Sequence, residues 1–170
     1  GAAVMPASFP RSKSPGHWDT DLVPELISPD HRVHRSFVES VGEFAAEGRV
    51  SEGSMLKHWM DGYADRWETP EGFQAFVDHL AADALPDSTR PANHVPQTTY
   101  WLVEDEVYLG RISIRHSLTE WLREYGGHIG YEVRPSVRRR GHATQMLRDV
   151  RPHAAALGID PALLTCDADN

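Results

Sequence analysis

Apolar residues recur along one helical face at Val33, Phe37, Val41 and Phe44. That spacing of three to four predicts an amphipathic helix, with Ser28 or Asp30 able to cap its start. Residues 55–85 form a second helical region. Leu56, Trp59, Met60 and Tyr63 share one face, and Phe73, Phe76, Val77 and Leu80 share another. Between them Thr69-Pro70-Glu71 reads as a helix start with proline in the first turn. Both aromatic faces are expected to pack as core. Leu22 to Ile27 reads as a short edge strand, because Pro24 cannot donate to a ladder. Pro86, Pro91 and Pro96 mark residues 86–97 as loop. Thr99, Trp101 and Val103 alternate with Tyr100 and Leu102, which predicts a mostly buried strand. Glu104-Asp105-Glu106 turns the chain, and Val107 to Arg115 returns it as a hairpin. Gly110 predicts a bulge or a close backbone approach. Residues 117–126 form a connection with a helical turn around Trp121 and Leu122, and a further strand runs from His128 to Arg134. The last helix starts near His142 and ends at Gly158. It is expected to bury Ala143, Leu147, Val150, Ala154 and Leu157. Pro152 lies inside it, which predicts a kink near Arg148 to Pro152 or a break into two pieces.

The composition is that of a globular chain: 170 residues, 40% apolar and 25% charged. Residues 1–20, with Pro6, Pro10 and Pro15, read as a flexible arm, and residues 21–170 as one domain. The apolar runs are far too short to span a bilayer, and no secretory leader pattern stands out, so no membrane partner is expected. Cys166 is the only cysteine, which excludes an intrachain disulfide and fits a cytoplasmic location. His31 and His34 stand three apart, but no acidic or cysteine partner joins them, so no metal site is expected. The net charge of −8 argues against nucleic acid as a partner. Yet Arg134, Arg138, Arg139, Arg140, Arg148 and Arg151 crowd one segment. A positive patch on an acidic protein suits a small anionic ligand better than a polymer.

Arg138-Arg139-Arg140-Gly141-His142-Ala143 lies between the strand at 128–134 and the last helix. A strand, a basic glycine-bearing turn and a helix start together make an anion cradle. The first amides of a helix lack partners in their own helix and sit at the positive end of its dipole. A diphosphate suits that place.

At this point the chain resembles the GNAT superfamily of N-acetyltransferases. The superfamily's acetyl-CoA motif, Gln/Arg-x-x-Gly-x-Gly/Ala, is met by Arg138, Gly141 and Ala143. Val133-Arg134-Pro135 stands where the family's fourth strand ends, and Leu163-Leu164-Thr165-Cys166-Asp167 where its fifth strand lies. The run Gly126-Gly127-His128-Ile129-Gly130-Tyr131 resembles a group of uncharacterised bacterial members. The resemblance covers residues 97–170 well and the first half loosely.

It implies an α/β fold with a mixed, mostly antiparallel sheet and helices on both faces. It also implies acetyl-CoA as co-substrate. The diphosphate would rest on the amides of residues 139–144, which are Arg139, Arg140, Gly141, His142, Ala143 and Thr144, with charge-assisted bonds from Arg138 and Arg140. The pantetheine arm would pair with the main chain of Tyr131 and Val133, where the fourth strand splays from the fifth. One N–H there would polarise the acetyl carbonyl. The family often places a proton acceptor on the fourth strand, where His128 and Glu132 are the candidates. Asn170 would bond the pantetheine. The helical region at 55–85 would shape the acceptor pocket. The implied activity is acetyl transfer to a primary amine of a small molecule or a protein, with a non-catalytic acyl-CoA-binding or regulatory module as the alternative. Measured against the family, the C-terminal strands and the helix carrying a thiolate acid are expected to lie beyond Asn170. The exposed edge at residues 161–170 would then be covered by another element, a homodimer being one way to do so.

Overall fold

The computed structural model describes residues 23–50 and 52–165. The expected arm, Cys166 and Asn170 lie outside them. Strand β1 (Glu25–Ile27) is followed by a short 3-10 turn (His31–Val33) and helix α1 (His34–Ala46). Asp30 starts the turn by accepting from the Arg32 amide at 2.8 Å. Helices α2 (Met55–Tyr63) and α3 (Pro70–Ala82) follow. Ser54 caps α2 through the Lys57 amide, and Thr69 caps α3 through the Gly72 amide, with Pro70 in the first turn as expected.

Strands β2 (Gln97–Glu104), β3 (Val107–Arg115) and β4 (Ile129–Val133) complete a sheet of order β1-β2-β3-β4, each neighbouring pair antiparallel. The register between β2 and β3 slips between Leu102 and Val103, so a bulge forms beside Gly110. A Cβ on Gly110 would overlap the Glu132 carbonyl oxygen on β4, so the glycine serves the close approach as well. A single parallel bridge, Ile129 to Leu164, stands where the fifth strand is expected. The architecture is thus an antiparallel sheet with helices on both faces.

The sheet separates two cores. On one face α1, α2 and α3 pack onto Trp101, Val103 and Tyr108. Phe37 is the hub of this layer. Its ring lies 5.2–5.5 Å from those of Trp67, Phe73, Phe76, Trp101 and Tyr108. The aromatic faces read from the sequence are therefore core. On the other face helix α4 (His142–Ala156) covers Leu102, Ile112 and Ile114. Its fully buried residues are Met146 and Val150, with Ala154 nearly so. Leu157, expected inside, is 43% exposed. The difference arises because the chain leaves the helix there: Gly158 turns at φ 76°, and the Ile159 amide returns to the Ala154 carbonyl at 3.0 Å. The anticipated break at Pro152 does not occur, and α4 is continuous through it. Pro152 and Arg148 are both exposed, so the carbonyl that loses its partner lies on the solvent side of the helix.

Candidate active site

The turn after β4 enters α4 through two left-handed residues, Arg139 (φ 65°) and Gly141 (φ 84°). Gly141 is the N-cap, and no side chain caps the helix. The Gln145 amide makes the first bond of the helix, to the Gly141 carbonyl. His142, Ala143 and Thr144 thus present N–H groups without partners among the described residues. Glycine matters here because it supplies the turn and brings no side-chain oxygen to compete for those amides. A Cβ at Gly141 would meet nothing within 4 Å, so the space above the helix end is open. The expected order of strand, turn and helix start is present.

The arginines around this turn are not equivalent. Arg134 bonds Glu43 at 2.7 Å and Ser36 at 2.9 Å. Arg138 bonds both oxygens of Glu47, at 3.0 and 2.8 Å, and the Val133 carbonyl at 3.1 Å. Arg148 pairs with Asp149. Arg138 is thus tied to Glu47 and Val133 through Nη1 and Nε, and its Nη2 has no hydrogen-bond partner among the described residues. Glu43 near the end of α1 and Glu47 just after it hold the turn in place through Arg134 and Arg138. Arg139 and Arg140 remain exposed, with no ion-pair partner among the described residues. Beside them, burial and the Arg140 charge lower the pKa of His142.

Strand β4 is paired with β3 along one edge, and its other edge is largely unpaired among the described residues. The His128 carbonyl accepts from the Arg115 amide, and the Arg134 amide donates to Leu109. By alternation, even-numbered backbone groups of β4 face β3, and those of Tyr131 and Val133 face the outer edge. Among the described residues that edge meets the bridge at Ile129 and, at Val133, the Arg138 side chain. The Val133 carbonyl there already accepts from Arg138.

The two candidate proton acceptors are in different states. His128 Nδ1 accepts from the Leu163 amide at 3.0 Å. Burial and the nearby Arg123 charge lower its pKa. With Nδ1 accepting, the proton of a neutral ring lies on Nε2, so the basic nitrogen is engaged with Leu163. Glu132 Oε2 accepts from Arg111 Nε at 3.0 Å, and its Oε1 carries no hydrogen bond among the described residues. Arg111 is itself 6% exposed, stacked on Trp59 and within 3.5 Å of Ser113 Oγ.

Arg111 and Arg115 also form the floor of a cavity of about 840 Å³, on the sheet face that carries α2. Its walls include His58 and Lys57 from α2, His94 from the loop before β2, and Trp121. The His58 and His94 rings stand 5.0 Å apart. Burial, then the His58 charge, lowers the pKa of His94. Sequence reading placed α2 at such a pocket but missed Arg111, Arg115, His58 and His94. A signal existed on β3: Arg111, Ser113 and Arg115 alternate as polar residues in an otherwise apolar strand.

Residues 55–170 match the model of the acetyltransferase (GNAT) family, and the chain belongs to that family, whose members take the acetyl group from acetyl-CoA. No curated protein matches the chain. It is similar to two solved structures. One is RimL, a ribosomal L7/L12 alpha-N-protein acetyltransferase in complex with coenzyme A, at 17% identity and a TM-score of 0.45 over 78% of this chain. The other is an acetyltransferase from Salmonella typhimurium that modifies the N-terminal serine of the ribosomal protein L7/L12, at 18% identity and a TM-score of 0.44 over 79% of this chain. This chain spans 63% and 65% of the length of those chains.

Proposed function

We propose that this chain is an acetyl-CoA-dependent N-acetyltransferase that acts on a primary amine, of a small molecule or a protein, entering through the cavity above Arg111 and Arg115. The observation that carries this reading is the uncapped, glycine-started end of α4 beside the largely unpaired edge of β4. The amides of His142, Ala143 and Thr144 would hold the diphosphate, with Arg139 and Arg140 adding charge. The outward backbone groups of Tyr131 and Val133 would take the pantetheine arm as a strand takes its neighbour. Bound there, acetyl-CoA supplies an activated thioester. The amine nitrogen bonds to the acetyl carbon, the carbon–sulfur bond breaks, and the sulfur leaves as thiolate.

The chain's own groups would do three things. The cradle orients the co-substrate, which lowers the entropy cost of the encounter. A main-chain N–H on that edge of β4 polarises the acetyl carbonyl. Glu132, held by Arg111 and with Oε1 unspent, takes the amine's proton. His128 instead positions the chain at Leu163 through Nδ1.

Calorimetry with acetyl-CoA, followed by thiol release with a panel of amines, tests the reading. Binding and turnover are expected. Binding without turnover on any amine would leave a non-catalytic acyl-CoA-binding module. For the proton acceptor, Glu132→Gln should change the pH–rate profile and His128→Ala should not; the reverse result would reassign the role.

A further inference from the structure

Charge in the cavity is mostly spent. On the α2 wall, Glu52 and Asp61 both pair with Lys57. On the floor, Arg111 pairs with Glu132 at 3.0 Å. Glu120 stands at the exposed rim. Arg115 is different. Its guanidinium is partly buried, and no carboxylate among the described residues lies within ion-pair distance. Its two hydrogen bonds both leave from Nη1, to the carbonyls of Gly126 at 2.8 Å and Gly127 at 3.1 Å. Those bonds fix the plane of the group and leave the Nε and Nη2 donors without partners among the described residues. That pair of parallel donors matches the two oxygens of a carboxylate.

Gly130 shapes this arrangement. A Cβ there would lie 3.3 Å from Arg115 Nη2 and 3.6 Å from Nη1. The missing side chain lets the guanidinium lie over β4. Burial, and then the Arg111 charge, lower the Arg115 pKa. Gly130 and Glu132 are two residues apart on the same strand face, or ~7 Å at the usual strand rise. A carboxylate placed over Gly130 would leave a neighbouring amine within reach of Glu132.

We propose that the acceptor is an α-amino acid, bound through its carboxylate to the unspent edge of Arg115. The inference rests on the transferase reading above and narrows its substrate from any primary amine to one that carries its own carboxylate. An acceptor without a carboxylate would leave the Nε and Nη2 donors unmet among the described residues.

The test compares free α-amino acids with their α-amides, in which the amine is kept and the carboxylate is neutral. Binding is measured by calorimetry on the protein without acetyl-CoA, and thiol release is measured separately with acetyl-CoA. At least one amino acid should bind roughly tenfold or more tighter than its amide, the size expected of a charge-assisted bidentate pair. The same preference should appear in kcat/KM. Arg115→Lys keeps the charge but loses the paired donors, and should reduce that preference with the fold intact by circular dichroism. Equal or better binding of the amides across the panel overturns the proposal without any variant, and so does a preference unchanged in Arg115→Lys. A protein that holds the acid and transfers no acetyl group fails the transferase reading and not this one.

Discussion

Arg134 donates from Nε to Glu43 Oε1 at 2.7 Å, across 91 positions of sequence. Glu43 also accepts from the Ser136 amide and hydroxyl, both at 3.0 Å. Arg138 and Glu47 repeat the same separation one helical turn later. The end of α1 therefore holds the turn that aims the first amides of α4. Burial alone would raise the Glu43 pKa. The bonds from Arg134 and Ser136 outweigh it and hold the carboxyl below its ordinary value.

Glu43→Ala should be destabilising as well as functionally costly. Arg134 is 11% exposed at the side chain, and it would lose its main anion. Truncating one partner of a mostly buried pair should cost about 2–3 kcal/mol, read from the denaturant midpoint. Acetyl-CoA affinity should fall with it, because the turn loses its anchor. An unchanged midpoint would show that the turn holds itself.

Gly141→Asp should weaken acetyl-CoA binding by at least about tenfold while the protein stays folded, since a carboxylate would face the phosphate across the helix end. Gly141→Ala isolates the backbone cost. Its Cβ has open space, so only the left-handed φ of 84° opposes it, at about 1–2 kcal/mol. Calorimetry alongside thermal melting separates the two effects. Unaltered affinity in a folded Gly141→Asp protein would remove the diphosphate from this helix end.

Gly110→Ala should be more damaging than Gly141→Ala, although Gly110 has an ordinary backbone. A methyl group would press into the Glu132 carbonyl, so β3 and β4 would have to part. A loss of about 2 kcal/mol or more is expected from overpacking of this kind. The shift should reach Glu132 and Arg111, which sit on either side of that contact. A melting temperature equal to that of the parent would show that the strands yield without cost.

Stability should fall as pH falls below neutrality. His79, His94, His116, His128 and His142 all have pKa values lowered from 6.5, in each case chiefly by burial. The unfolded chain then binds more protons than the folded one in the window just below 6.5, so stability rises with pH through that window and is lost on descending through it. Glu43 adds a further loss below its ordinary value of 4.5, as its folded carboxyl stays ionised while the unfolded one protonates. Thermal melts at about pH 7.5 and about pH 5.5 should show the lower midpoint at the acid value. Equal midpoints would mean that these rings are solvated enough to charge freely.

Periodicity along the chain was enough to place the helices at Val33 to Phe44 and Phe73 to Leu80, the β2–β3 hairpin and the turn at Gly141. These are local properties: side-chain direction repeats with the backbone, and glycine marks positive φ wherever it is needed. The acetyltransferase family was legible for the same reason, since its phosphate-binding motif is six consecutive residues. The partners of those residues were not legible. Six crowded arginines look alike in sequence, yet Arg134 and Arg138 are taken by Glu43 and Glu47, while Arg139 and Arg140 stay exposed. His128 likewise reads as a free imidazole until Leu163 is seen to donate to it. The floor of the cavity joins α2, a loop and β3, segments that meet only when the sheet forms. Which charges are spent and which are left for a substrate depends on pairings across some 90 residues, and those are decided by how the layers pack, not by any local repeat.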